Sequence, residues 1–126
     1  MPQLNALGIA VSDMARSIRF YRLVGLDVPE TPDEGHVDAC LPSGVRFMLD
    51  SEEIIRSFLP EWSREDGNQI SIALECASPS EVDELYERVT SEGFEGEKEP
   101  WDAYWGQHYA LLIDPDGVRV NLYAPL

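Results

Sequence analysis

The sequence predicts an α+β domain built from two tandem βαβββ modules whose strands form a curved mixed sheet. The main observation behind this expectation is a repeat: residues 6–21 and 71–86 match at one constant offset. Ala6 falls on Ser71, Leu7 on Ile72, Gly8 on Ala73, Ile9 on Leu74, Val11 on Cys76, Phe20 on Leu85 and Tyr21 on Tyr86. Each segment also runs the same way, from an apolar strand through a capping residue into a helix, with room for three short strands behind it. At 126 residues the chain has the length of one ordinary domain, enough to bury roughly two-thirds of the surface its unfolded form exposes. The expected division is a single domain over 1–126, with module one at 1–51, a link at 52–67 and module two at 68–126.

In residues 4–11, Leu7, Ile9 and Val11 alternate with Ala6, Gly8 and Ala10, the two-residue period of a strand with one bulky and one nearly bare face. Asp13 or Ser12 caps the helix that follows, Ile18, Tyr21 and Val24 lie on its buried side, and Gly25 suits a left-handed exit. Strands are expected at 26–29, 36–41 and 45–50, with a turn at Pro42-Ser-Gly44 between the last two. Residues 51–68 carry Pro60, a charged run from Ser63 to Asp66 and Gly67, which reads as a partly helical link.

Module two opens with a strand at 69–76, its bulky face Ile70, Ile72, Leu74 and Cys76, its small face Ser71 and Ala73. Ser78-Pro-Ser-Glu81 marks the next helix start, with Ser78 as N-cap, Pro79 at the first helical position and Glu81 as the capping-box partner. Val82, Leu85, Tyr86 and Val89 keep helical spacing as far as Gly93. Strands at 94–97, 108–113 and 118–123 complete the set, the last two joined by the turn Asp114-Pro-Asp-Gly117.

The chain carries 24 acidic and 9 basic side chains, a net charge of -15. That balance disfavours nucleic acid and offers an anionic membrane nothing to attract, while it favours a cationic partner or simply keeps the surface solvated. Cys40 and Cys76 lack zinc-knuckle or disulfide-framework spacing and read as buried free thiols. The sequence opens on no basic stretch followed by an apolar one, and no apolar run reaches membrane-spanning length, so a cytoplasmic location is expected. No G-x-S-x-G elbow, Walker loop or G-x-G-x-x-G fingerprint occurs.

Several motifs together resemble the vicinal oxygen chelate superfamily of glyoxalases, bleomycin-resistance proteins and extradiol dioxygenases. They are Ala10-Val-Ser-Asp13, Ser17-Ile-Arg-Phe-Tyr21, Gly25-Leu26, Ser71-Ile-Ala-Leu-Glu-Cys76, Trp105-Gly-Gln107 and Asp114-Pro-Asp-Gly117. The resemblance covers nearly the whole chain and implies the fold above and a homodimer. Its enzymes hold a divalent cation on the concave sheet with a His, Gln or Glu on the first strand of each module and a Glu near the end of the last strand. Those positions fall on Ala6, Ser71 and Asn121, and a fourth, used by some members, lies near Met48. Alanine has no donor atom, a serine hydroxyl is a poor ligand and asparagine supplies one neutral oxygen. No metal ligand, catalytic residue or cofactor is therefore expected, and a relocated metal set of His36, Glu75 and His108 lacks supporting spacing.

The small inner faces leave either a pocket or a core filled by Phe47, Met48, Tyr109, Leu111 or Tyr123. Trp101, Tyr104, Trp105 and Tyr109 lie close in sequence to Glu97, Glu99 and Asp102, a pairing that suits a flat or cationic ligand, unless Trp101 and Trp105 seal a sheet end or dimer interface. The expected function is that of a metal-free protein, similar to bleomycin-resistance proteins, that sequesters an aromatic or cationic drug or metabolite. Its ligand-binding residues are Ala6, Gly8, Ser71, Ala73, Trp101, Tyr104, Trp105 and Asn121, with Ser71 and Asn121 orienting the ligand by hydrogen bonds. The alternatives are a glyoxalase-like lyase or isomerase, or an extradiol-type dioxygenase, with an unassigned divalent metal, and a module whose aromatic cluster binds another protein.

Overall fold

A computed structural model of the chain describes residue 1, residues 3–64 and residues 70–126. Residues 65–69, which hold the end of the expected link and the start of module two, lie outside the described residues. The chain divides into two compact units, Met1–Glu65 and Asp66–Leu126. Among the described residues no helix is long and apolar enough to cross a membrane.

The first unit runs β1 (Ala6–Val11), α1 (Met14–Leu23), β2 (His36–Cys40), β3 (Arg46–Ser51) and α2 (Glu52–Phe58). Its sheet has the order β1-β3-β2, with β1 parallel and β2 antiparallel to β3. Asp13, rather than Ser12, is the N-cap of α1, its side chain accepting from the Arg16 N–H at 3.1 Å. Period-2 alternation sends Val37, Ala39, Phe47 and Leu49 into the core with Ile18, Phe20 and Tyr21 of α1. Tyr21 bridges the layers, edge-on to Phe20 at 5.0 Å and to Phe47 at 4.7 Å. Burial of each large side chain contributes about 1.5–3 kcal/mol, which makes this aromatic junction the anchor of α1 on its sheet.

Two expectations fail in this unit. Residues 26–29 form no strand, because local hydrogen bonds take up the backbone there: Val28 N–H donates to Leu26 C=O, Thr31 N–H to Pro29 C=O, and Arg22 Nη1 to Val28 C=O at 2.6 Å. Pro29 and Pro32 also lack the N–H groups a ladder requires. The first unit is thus βαββ followed by a helix: α2 lies inside the expected link and takes its N-cap from Ser51. Cys40 is exposed rather than buried. It shares the parity of His36 and Asp38, so the pleat that buries Val37 and Ala39 turns it away from the core.

The second unit runs β4 (Ser71–Glu75), α3 (Pro79–Ser91), β5 (Glu95–Asp102), β6 (Gln107–Ile113) and β7 (Arg119–Pro125). Its sheet has the order β4-β7-β6-β5, parallel between β4 and β7 and antiparallel elsewhere. Ser78 caps α3 by accepting from the Glu81 N–H at 3.2 Å, with Pro79 at its start. Glu81 returns to the Ala77 N–H at 3.0 Å, one residue before the expected partner. Gly25 and Gly93 take φ of 107° and 91° at the two helix exits, a conformation that costs a side chain energy and glycine almost none. Ile72, Val82, Val89, Ala110, Leu112, Val120, Leu122 and Ala124 form the core between α3 and the sheet.

β5 is longer than expected, reaching Asp102 instead of ending at Glu97, with register shifts on either side of Lys98. Pro100 is tolerated because β5 is an edge strand and irregular there. The extension puts Trp101 on the sheet beside Tyr109, and the turn after it holds Tyr104 and Trp105.

Candidate functional site

Strand parity sorts the second sheet into a face packed on α3 and a face turned away from it. The second face carries Ser71, Ala73 and Glu75 from β4, Arg119, Asn121 and Tyr123 from β7, and Gln107, Tyr109 and Leu111 from β6. Trp101 joins them through its pairing with Tyr109. Of the predicted site residues, Ser71, Ala73, Trp101, Tyr104, Trp105 and Asn121 therefore belong to this face or the turn at its edge. Ala6 and Gly8 belong to β1 of the other unit, where Gly8 is exposed and Ala6 half-buried. A Cβ at Gly8 would meet the Met48 Cε at 3.4 Å, so Met48 borders the small-residue stripe of β1.

The aromatic side chains form one connected set. Trp101 meets Tyr109 at 5.6 Å and Trp105 at 6.0 Å, Trp105 meets Tyr109 at 5.3 Å and Tyr104 at 5.0 Å, all edge-on. Tyr109 and Tyr123 stack at 6.1 Å. Edge-on packing joins the electropositive rim of one ring to the electronegative face of the next, so neighbouring rings brace one another. The Trp105 indole N–H is fixed by Gln107 Oε1 at 2.9 Å. Trp105 is 48% exposed and Tyr104 97%, so both present large apolar faces to solvent. Lys98 places its Nζ 4.0 Å from the Trp101 ring centroid, a cation–π contact that occupies one face of that ring.

Polar groups flank the aromatic set. Asn121 Nδ2 donates to the Tyr109 hydroxyl at 2.8 Å, and its Oδ1 is buried without a partner. Arg119, opposite Ser71, is held by Glu97 through bonds of 2.8 and 3.0 Å. Tyr109, Tyr123, Gln107 and Lys98 are missing from the sequence-based site. The β6 alternation of Gln107, Tyr109 and Leu111 against Ala110 and Leu112 marks Tyr109 and Gln107, and that of Asn121 and Tyr123 against Val120 and Leu122 on β7 marks Tyr123, whereas Lys98 depends on the irregular β5 and leaves no sequence signal.

The remaining titratable groups sit elsewhere. On the first sheet His36 Nδ1 lies 2.5 Å from Asp50 Oδ1 and its Nε2 3.6 Å from Asp38, which Arg46 also holds at 2.8 Å. The hydrogen bond to Asp50 and the charge of both carboxylates raise the His36 pKa. His108 lies on the α3 face, bonded to Asp83 of α3 and Asp102 of β5 at 2.7 Å each, and these bonds raise its pKa, Asp83 foremost. Glu75 and His108 therefore occupy opposite faces of one sheet and cannot share a cation, which removes the relocated metal set. Burial, with a smaller push from Glu81, drives the Cys76 thiol up to about 11, so it is an inert apolar group rather than a nucleophile.

Residues 3–122 match the model of the Glyoxalase/Bleomycin resistance protein/Dioxygenase superfamily. A solved glyoxalase/bleomycin resistance protein/dioxygenase from Nocardioides is 28% identical, with a TM-score of 0.77 over 100% of this chain and 85% of that one. A glyoxalase/bleomycin resistance protein/dioxygenase family enzyme from Burkholderia phytofirmans PsJN has the same fold at 19% identity, with a TM-score of 0.84 over 99% of this chain and 100% of that one. A glyoxalase-related enzyme from Fulvimarina pelagi does so at 17% identity, with a TM-score of 0.83 over 98% of this chain and 88% of that one. No curated protein matches. The chain belongs to the glyoxalase/bleomycin resistance/dioxygenase superfamily.

Membership raises the question of a divalent cation, and the donor set does not fit one. Ala6 brings no donor and Ser71 only an exposed hydroxyl. Asn121 offers one neutral oxygen, and its amide already serves Tyr109. Among the described residues no group of three His, Cys, Asp or Glu side chains is placed to hold a metal.

Proposed function

We propose that this chain binds a flat, largely aromatic small molecule without a metal and holds it unchanged, in the manner of bleomycin-resistance proteins. The observation that supports this reading best is the aromatic set on the sheet face away from α3. Trp101, Trp105 and Tyr109 brace one another edge-on, so the half-exposed ring of Trp105 needs little further ordering when a ligand stacks on it. Apolar walls with a few convergent polar groups are the usual makeup of a ligand site. Lys98 narrows the expected ligand: with its ammonium on Trp101, a cationic ligand meets repulsion at that ring, so the site favours planarity over positive charge.

Nothing in the aromatic set supplies a nucleophile or a proton-transfer pair to the ligand. Both histidines are engaged by aspartates, His108 on the opposite face of the sheet. The test is titration of planar aromatic compounds against the protein, followed by tryptophan fluorescence and calorimetry. Trp105→Ala is expected to abolish binding with the circular-dichroism spectrum unchanged. Unchanged affinity would remove this surface from the site.

A further inference from the structure

Asn121 lies in the middle of β7, flanked across the ladders by Ala73 on β4 and Leu111 on β6, neither of which has a hydrogen-bonding side chain. Its Nδ2 donates to the Tyr109 hydroxyl at 2.8 Å. Its Oδ1 is the one buried side-chain nitrogen or oxygen among the described residues that is left without a partner. Turning the amide over does not cure this, because it exchanges an orphaned oxygen for orphaned N–H groups. An unmet buried acceptor is a standing cost that an incoming donor removes.

The Tyr109 hydroxyl completes the pattern. Having accepted from Asn121, it keeps its own proton to donate, and the accepted bond polarises that proton. The two side chains thus offer one acceptor and one donor side by side, both uncharged. A carboxylate ligand would place its oxygens against Oδ1 and be repelled, whereas an N–H beside a C=O would satisfy both groups.

We propose that Asn121 and Tyr109 read the N–H and C=O edge of a flat lactam, with Asn121 Oδ1 accepting from the ring N–H and the Tyr109 hydroxyl donating to the ring carbonyl. This rests on the small-molecule reading above and names the ligand's polar edge. The adjacent rings of Trp101, Trp105 and Tyr123 supply the stacking surface that favours a planar ligand.

The test compares 2-quinolone with N-methyl-2-quinolone, which keeps the plane and the carbonyl but lacks the N–H, by calorimetry and by NMR shifts of the Trp101 and Trp105 indole N–H signals. The parent is expected to bind at least about tenfold more tightly. Asn121→Leu is expected to bring that ratio close to one, and Tyr109→Phe, which keeps the ring and its packing, to weaken the parent. Equal affinity of the two compounds, with the indole signals shifting for both, would overturn the lactam assignment and leave the aromatic site standing. Binding of neither would overturn the lactam assignment, and binding of no planar aromatic compound in the titrations above would overturn the aromatic site as well.

Discussion

Asp114 is 3% exposed, and its Oδ1 accepts from the N–H groups of Asp116 and Val118 at 2.8 Å each. Those bonds close the turn between β6 and β7 and so hold Tyr109 and Asn121 in register. Asp114→Ala leaves two donors unmet and is expected to cost about 1–3 kcal/mol in urea unfolding, with Asp114→Asn costing less because an acceptor remains. This turn was legible in Asp114-Pro-Asp-Gly117, since side-chain capping and a positive-φ glycine are local chemistry. The Asn121–Tyr109 bond was not, because it depends on how two strands align across the ladder. Cys40 misled for a related reason: cysteine is usually buried, but the pleat decides which face a strand residue takes.

His108 ties α3 to β5 across the second sheet through Asp83 and Asp102. Its pKa is raised in the folded state, so its stabilising contribution is complete below the unfolded value of 6.5 and is lost as pH rises through the higher folded value. His36, held by Asp50 and Asp38, acts in the same direction in the first unit. Thermal unfolding is therefore expected to show a lower Tm at about pH 9 than at about pH 6. The drop should be smaller in His108→Gln and in His36→Gln, and a Tm unaffected by either substitution would contradict the assignment. The helices and their caps were readable because Asp13, Ser78 and Pro79 act within a turn of their own position. The missing strand at 26–29 and the long β5 were not: the first gave way to local bonds around Pro29, and the second is an edge strand shaped by its neighbour β6.

The repeat between residues 6–21 and 71–86 pointed to the duplicated architecture, because strand-cap-helix units leave a sequence imprint that tertiary contacts do not blur, while motifs within and beyond it carried the resemblance to the family. It could not identify the ligand, since the fold accommodates many chemistries and the site is written in individual side chains. Ala6, Ser71 and Asn121 stand at the positions where the resemblance puts metal ligands, and none of the three is a usual ligand. The aromatic set became one surface only once β5 was seen to carry Trp101 to Tyr109. The acidic charge of -15 fits a solvated surface, and Lys98 over Trp101 places a cation beside the aromatic set in spite of that charge.

Metal-independence is the central claim, and the metal content of tag-free protein tests it most directly. The protein would be incubated separately with nickel, manganese, iron and zinc, desalted exhaustively and assayed by elemental analysis. Substoichiometric metal in every case is the predicted result. About one ion per chain, the stoichiometry of a catalytic centre, would contradict it and return the chain to the lyase, isomerase or dioxygenase chemistry of its superfamily.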